Sequence, residues 1–192
     1  MDNAVMRPAL IIRKAQEQDI SGIAAIYDAI LAEEEAGRRR VGWQRGVYPT
    51  EHTARAALRA GDLYVMEAEG RIVASCRINR HQEDSYAGFQ WQHPARDEEV
   101  MVLHTLTVAP WAEGRGHAKA FVRFYEDHAA QNGYPCLRMD TNARNTAARS
   151  MYHKLGYAER GIVPTTFNGI TGVMLVGLEK RISDPPPDGA AP

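Results

Sequence analysis

The stretch E-V-M-V-L-H-T-L-T-V-A-P-W-A-E-G-R-G-H-A-K-A, Glu99 to Ala120, decides how the rest of the chain is read. Val100, Met101, Val102, Leu103, Leu106 and Val108 form an almost unbroken apolar run, the pattern of a strand covered on both faces. Pro110 stops it. Gly114 and Gly116 then precede Ala120, Phe121, Phe124, Tyr125 and His128, whose spacing predicts an amphipathic helix. Strand, glycine loop and helix N-terminus in succession make an anion site. The first-turn N–H groups have no helical acceptor, and the helix dipole adds roughly half a positive charge there. Glycine lets the backbone approach a phosphate with no Cβ in the way. No Gly-Lys-Ser/Thr follows, so this is not a P-loop, and the three spaced glycines of a dinucleotide fingerprint are lacking. The loop alone names no ligand, since glycine pairs also precede helices in loops that bind nothing.

Composition narrows the classes. A chain of 192 residues is long enough for one domain with its own core, here 10–181, between an N-terminal arm at 1–9 and a disordered Pro-rich tail at 182–192. A formal charge of −1 argues against a general nucleic-acid or membrane-surface role. The basic run Arg38-Arg39-Arg40 follows Glu33-Glu34-Glu35. Glu34–Arg38 and Glu35–Arg39 are spaced i,i+4, so paired charges on a solvated helix end are expected rather than a binding patch. Cys76 and Cys136 sit in strand-like runs without metal spacing and read as buried thiols. No signal peptide and no bilayer-length apolar segment is visible, so the expected compartment is the cytoplasm.

Along the chain, Leu10 to Arg13 reads as a short strand and Asp19 to about Ala36 as a helix, with Ile20, Ile23, Tyr27, Ile30 and Leu31 on one face. Thr50 caps a short helix from Glu51 to Ala60, closed by Gly61. Leu63–Glu67 and Ile72–Ile78 form a hairpin through Glu69-Gly70. Arg80 to Asp97 is a long polar segment of the kind that is functional or mobile. After the glycine loop the helix runs to about Gln131, and Leu137–Asp140 is a strand, so a right-handed parallel crossover is implied. Asn145–Lys154 is a short helix stopped by Gly156. Tyr157–Val163 and Val173–Leu178 are two last strands, separated by a longer connection that contains Asn168-Gly169.

The segment N-T-A-A-R-S-M-Y-H-K-L-G-Y, Asn145 to Tyr157, follows V-A-P-W-A-E-G-R-G-H-A at the right interval, and together they resemble the GNAT superfamily of N-acetyltransferases. The resemblance runs from Ile11 to about Leu178. The family's loop pattern (Arg or Gln, two residues, Gly, one residue, Gly or Ala) falls on Glu113, Gly116 and Ala118. Its later pattern places Asn145, Ala148, Tyr152 and Leu155-Gly156-Tyr157 in register. The resemblance implies an α/β (α+β) fold: a mixed, mostly antiparallel sheet flanked by helices, whose central parallel strand pair splays to admit acetyl-coenzyme A. The backbone of Leu106, Thr107 and Val108 would meet the pantetheine arm. The loop and first turn, Glu113, Gly114, Arg115, Gly116, His117, Ala118 and Lys119, would hold the pyrophosphate, and Asn145 would contact the arm. Glu113 departs from the pattern, being an anion where the family has a basic or amide side chain. It is expected to point to solvent, leaving the electrostatics to Arg115 and the amides.

The implied reaction is direct attack of an amine on the thioester in a ternary complex, where holding both reactants in register can remove roughly 7–11 kcal/mol of barrier. Tyr152 matches the family's general acid; proton transfer from a phenol (pKa ~10) to a thiolate (~8.5) is uphill by about 2 kcal/mol, and a hydrogen bond to the developing charge is the milder alternative. His104 is the candidate base, because H-T-L-T-V resembles the arylalkylamine branch of the superfamily; a histidine hydrogen-bonded within a strand is the plain alternative. Glu98 and Glu99 are reserves. Trp43, Tyr48, Trp91 and His93 lie in irregular segments that either line an acceptor pocket or merely pack a loop on the sheet. The expected acceptor is a small-molecule amine, with a peptide N-terminus or lysine as the alternative; a homodimer is left open. A non-catalytic acyl-coenzyme A-binding module is the reading from another class, and Glu113 is the residue that favours it.

Overall fold

The apolar run 100–108 forms a strand, Val100–Val108, at the middle of a seven-stranded mixed sheet in the computed structural model, which describes residues 10–182. The arm at 1–9 and the tail beyond 182 fall outside the described residues. The strands are β1 (Ile11–Lys14), β2 (Leu63–Ala68), β3 (Arg71–Asn79), β4 (Val100–Val108), β5 (Cys136–Asn142), β6 (Ala158–Phe167) and β7 (Ile170–Arg181). The helices are α1 (Ile20–Glu35), α2 (Glu51–Ala60), α3 (His117–Gln131) and α4 (Thr146–Lys154). In the sheet the order is β1-β2-β3-β4-β5-β7-β6, and every neighbouring pair is antiparallel except β4 with β5.

The unbroken apolar character of β4 has its reason in packing on both faces. Met101 and Leu103 join the cluster of α3 and α4 side chains, with Phe121, Val122, Tyr125 and Tyr152. Val100 and Val102 point the other way, onto Tyr86, Phe89, Ile170, Val173 and Leu175. All four strand residues are 5% exposed or less, and each contributes about 1.5–3 kcal/mol by leaving water. A third cluster joins Ile20, Ile23 and Tyr27 of α1 to Ala54 and Ala57 of α2.

Local chemistry sets the boundaries. Thr50 Oγ1 accepts from the Thr53 N–H at 3.2 Å and starts α2, and Gly61 at φ 76° ends it. Glu69 and Gly70, both at positive φ, close the β2–β3 hairpin. The β6–β7 connection differs from expectation. Asn168 and Gly169, at φ 50° and 81°, make a two-residue hairpin turn, so both strands extend almost to it. Pro164, Thr165 and Thr166 gave no strand pattern because β6 is an edge strand with much of its length exposed.

The polar segment 80–97 is pinned. Glu179 of β7, its side chain fully buried, accepts from the Gln92 N–H (2.9 Å), the His93 N–H (3.3 Å) and Arg160 Nε (3.1 Å), and pairs with Arg138 at 3.4 Å. The Arg138 guanidinium lies 4.4 Å from the centre of the Trp91 ring. Trp91 and His93 therefore strap the loop to the sheet and do not line an acceptor pocket. Trp43 and Tyr48 do reach a cavity.

Candidate active site

The site starts where the parallel pair comes apart. Pairing of β4 with β5 runs from Val100–Cys136 to Leu103–Met139 and stops. On its other edge β4 pairs His104 with Arg77 and Thr107 with Ser75, so Thr105 and Leu106 together face one residue of β3, Cys76. This is a β-bulge, and Thr105 carries it at φ 51°, a conformation strained for a β-branched residue. The Tyr48 hydroxyl, hydrogen-bonded to Thr105 Oγ1, holds it. Beyond the bulge the Ala109 N–H donates to Val73 O at 2.8 Å. Alternation then turns the backbone groups of Leu106 and Val108 to the edge that β5 has left. An extended chain can pair there.

The same strand leads into the glycine loop. Gly114 and Gly116 are at φ 75° and 83°, and α3 begins at His117. Among the described residues the N–H groups from Gly114 to Lys119 make no hydrogen bond, the first bonded amide being Ala120 to Gly116 O at 3.0 Å. Several unpartnered amides at a helix N-terminus fit a diphosphate. The Arg115 and Lys119 side chains are exposed beside them, and His117 Nε2 is buried without a partner. A cleft of about 520 Å³ connects this region to Leu106, Thr107, Val108, Asn145 and Tyr152. Asn145 Oδ1 is engaged as the cap of α4, accepting from the Ala148 N–H at 3.2 Å, while the residue itself lines the cleft.

Two charge expectations change here. The Glu34–Arg38 and Glu35–Arg39 pairs do not form, because α1 ends at Glu35 and Gly37 (φ 72°) turns the chain off the helix axis. Arg38 pairs with Glu33 instead, Glu35 with Arg45, and Glu34 accepts from the Val41 and Gly42 N–H groups. Arg39 crosses the cleft to pair with Glu113. The anion at the family's basic position is thus neutralised by an arginine from the other wall, although its side chain is 54% exposed.

Behind the cleft lies a smaller cavity of about 110 Å³, bordered by His104, Glu83, Asp140 and Tyr152. The cleft and the cavity share Val41, Trp43, Leu106, Asn145, Ala148 and Tyr152. Tyr152, on α4, is 6% exposed, and burial and the nearby Asp140 raise its phenol well above the usual value. His104 is buried; its Nε2 lies 3.0 Å from Asn79 Oδ1. Burial, then the charges of Arg77 and His81, push its imidazole down to about 3, so it stays neutral at working pH. Asp140 stands at the point where β5 departs from β4. Burial raises its carboxyl to about 7, against a lowering by the Tyr86 hydroxyl, which donates to Oδ2 at 2.9 Å. Asp140, Glu83 and Arg77 were missed as site residues in the sequence. The one available signal was an acidic residue ending an apolar strand run, Leu137 to Asp140, with no turn residue after it.

The family comparison agrees with this geometry. The pattern of the acetyltransferase (GNAT) family matches residues 23–157. An uncharacterized N-acetyltransferase of Bacillus subtilis, YhfO, is 30% identical over 82 residues, 41% of this chain and 55% of that protein. A mycothiol acetyltransferase of Renibacterium salmoninarum is 31% identical over 98 residues, 49% of this chain and 29% of that one. The chain thus spans about half the length of the first relative and under a third of the second. A solved GNAT-family acetyltransferase of Streptococcus agalactiae has the same fold, with a TM-score of 0.75 over 91% of this chain and 96% of that one at 23% identity. Among the described residues no helix is long and apolar enough to cross a membrane. With the splayed strand pair, the loop of free amides and a family match over most of its length, the chain belongs to the acetyltransferase (GNAT) family, whose members use acetyl-coenzyme A as acetyl donor.

Proposed function

We propose that the protein transfers the acetyl group of acetyl-coenzyme A to the primary amine of a small molecule, by direct attack within a ternary complex. The observation that carries this reading is the meeting of two cavities at Tyr152. One opens along the free edge of β4, and the other is bordered by carboxylates. A donor entering by the first and an amine entering by the second are held in register, which is the larger part of the catalysis.

The amides of Gly114 to Lys119 hold the diphosphate, and Leu106, Thr107, Val108 and Asn145 line the arm's path. When bound, the cosubstrate supplies an activated acetyl group on a thiolate leaving group. Tyr152 holds the neutral phenol at any working pH, because its pKa is raised. Full proton transfer from it to a thiolate is accordingly steeper than for a free phenol, and its role is hydrogen-bond donation to developing charge. For the proton acceptor we assign Asp140 in preference to His104. A base near 7 balances availability against strength, whereas an imidazole near 3 takes almost no proton from an ammonium. His104 then acts as a neutral wall of the cavity, hydrogen-bonded to Asn79.

Calorimetry with acetyl-coenzyme A, followed by thiol release over a panel of primary amines, tests the proposal. Binding with turnover on small amines is expected. Binding without turnover on any acceptor would instead make the protein a non-catalytic acyl-coenzyme A-binding module.

A further inference from the structure

Arg77 is the residue that the reaction does not use. It projects from β3 where two cavities meet: the inner one with Asp140 and Glu83, and an outer one of about 430 Å³ beside α2, bordered by His52, Thr53 and Asp62. Tyr48, Arg77, Thr105 and Asn168 belong to both. A guanidinium has five donors in a planar fork. Among the described residues the Arg77 side chain makes no hydrogen bond, and its nearest carboxylate, Asp62, stays 3.9 Å away. Asp62 Oδ2 is already taken, accepting from Asn79 Nδ2 at 2.7 Å. The Arg77 side chain is nevertheless two-thirds covered, with 32% of it exposed. A largely covered guanidinium that makes no hydrogen bond, has only this long ion pair with Asp62 and lines both cavities is suited to a planar oxyanion.

We propose that the acceptor is a small amino acid type molecule, its ammonium placed between Asp140 and Glu83 and its carboxylate received by Arg77 at the junction of the two cavities. Opposite charges at the two ends of the site match opposite charges on one molecule. They also fix its orientation, with the amine directed toward Tyr152 and the remainder of the molecule extending into the outer cavity beside α2. A plain alkylamine satisfies only the acidic end and leaves the guanidinium without a hydrogen-bond acceptor. A lysine side chain of a protein likewise brings no carboxylate to it. This inference rests on the acetyltransferase reading above.

The test uses the full chain with saturating acetyl-coenzyme A and three matched sets of acceptors: the common L-amino acids, their methyl esters and their decarboxylated amines. At least one amino acid is expected to exceed its ester and its amine by tenfold or more in kcat/KM. In Arg77→Gln that ratio should fall to near one, chiefly through KM, and Arg77→Lys should retain part of it. Esters and amines used as well as the acids overturn the inference while leaving the acetyltransferase reading intact. A ratio unchanged in Arg77→Gln overturns the role of Arg77. No turnover with any of the three sets overturns both. Should Arg77→Gln fail to fold, the comparison of acids with esters in the parent chain still decides.

Discussion

The Tyr86 hydroxyl donates to Asp140 Oδ2 at 2.9 Å, so a residue of the polar loop 80–97 governs the carboxylate at the mouth of the splayed strands. That bond favours the ionised form and opposes the burial that lifts Asp140 to about 7. Removing it in Tyr86→Phe therefore raises the carboxyl further. The acidic limb of the kcat/KM profile, expected near pH 7, should move to higher pH by about one unit, with the plateau rate kept. A limb that stays in place would show that another group titrates.

Asp140→Asn should lose activity by at least about 100-fold and gain stability. The unfolded chain releases the Asp140 proton near 4 and the folded chain near 7. Between these values ionisation favours unfolding, so this residue makes stability fall as pH rises. The asparagine has no such penalty and should be more stable above pH 7 by on the order of 2–4 kcal/mol. The gain should vanish below about pH 4, as denaturant midpoints across the range would read.

Tyr152→Phe removes a donor directed at charge that develops late. Its kcat should drop about 10–100-fold with little change in the dissociation constant for acetyl-coenzyme A. Equal turnover of mutant and parent would remove Tyr152 from the reaction.

Arg39 and Glu113 form a pair across the cleft and should be coupled. Arg39→Ala leaves an anion beside the diphosphate and should weaken coenzyme A binding by about 5–20-fold. Adding Glu113→Gln should recover most of that loss. Additive effects in this cycle, measured by calorimetry, would mean that the pair has no part in binding.

Glu179→Ala would strand the buried Arg138 and free two loop amides, so a destabilisation of about 3–5 kcal/mol is expected. The amides of Gln92 and His93 should lose hydrogen-exchange protection before those of β4. Uniform protection would show that the loop is held by its aromatic side chains alone.

How far the sequence was legible follows from which signals are local. The β4 run, the glycine loop, the Glu69-Gly70 turn and the Thr50 cap are written in neighbouring residues, and each forms where its pattern lies. Two readings changed for local reasons, the i,i+4 pairs lost where Gly37 turns the chain and residues 164–166 on an exposed edge strand; the other contacts that the sequence did not reveal join residues distant in the chain. Arg39 meets Glu113, Trp91 meets Arg138, and Tyr86 enters the core from a segment whose composition reads as a solvated loop. The acidic end of the Leu137–Asp140 run is too weak a signal for the role of Asp140, because an acidic residue at a strand end ordinarily marks a turn. Its pKa depends on burial, on the Tyr86 hydroxyl that opposes the rise and on the nearby Glu83, the last two from other parts of the chain.

The single extra residue at Thr105 acts as a frame shift in three dimensions. Ahead of it odd-numbered side chains, Met101 and Leu103, meet the helices; past it even-numbered ones, Leu106 and Val108, do. Deleting any one residue from 104 to 108 would put the two halves back in phase. The side chains downstream of the deletion would keep their side of the sheet, but the local bend that the bulge gives β4 where it leaves β5 would be lost.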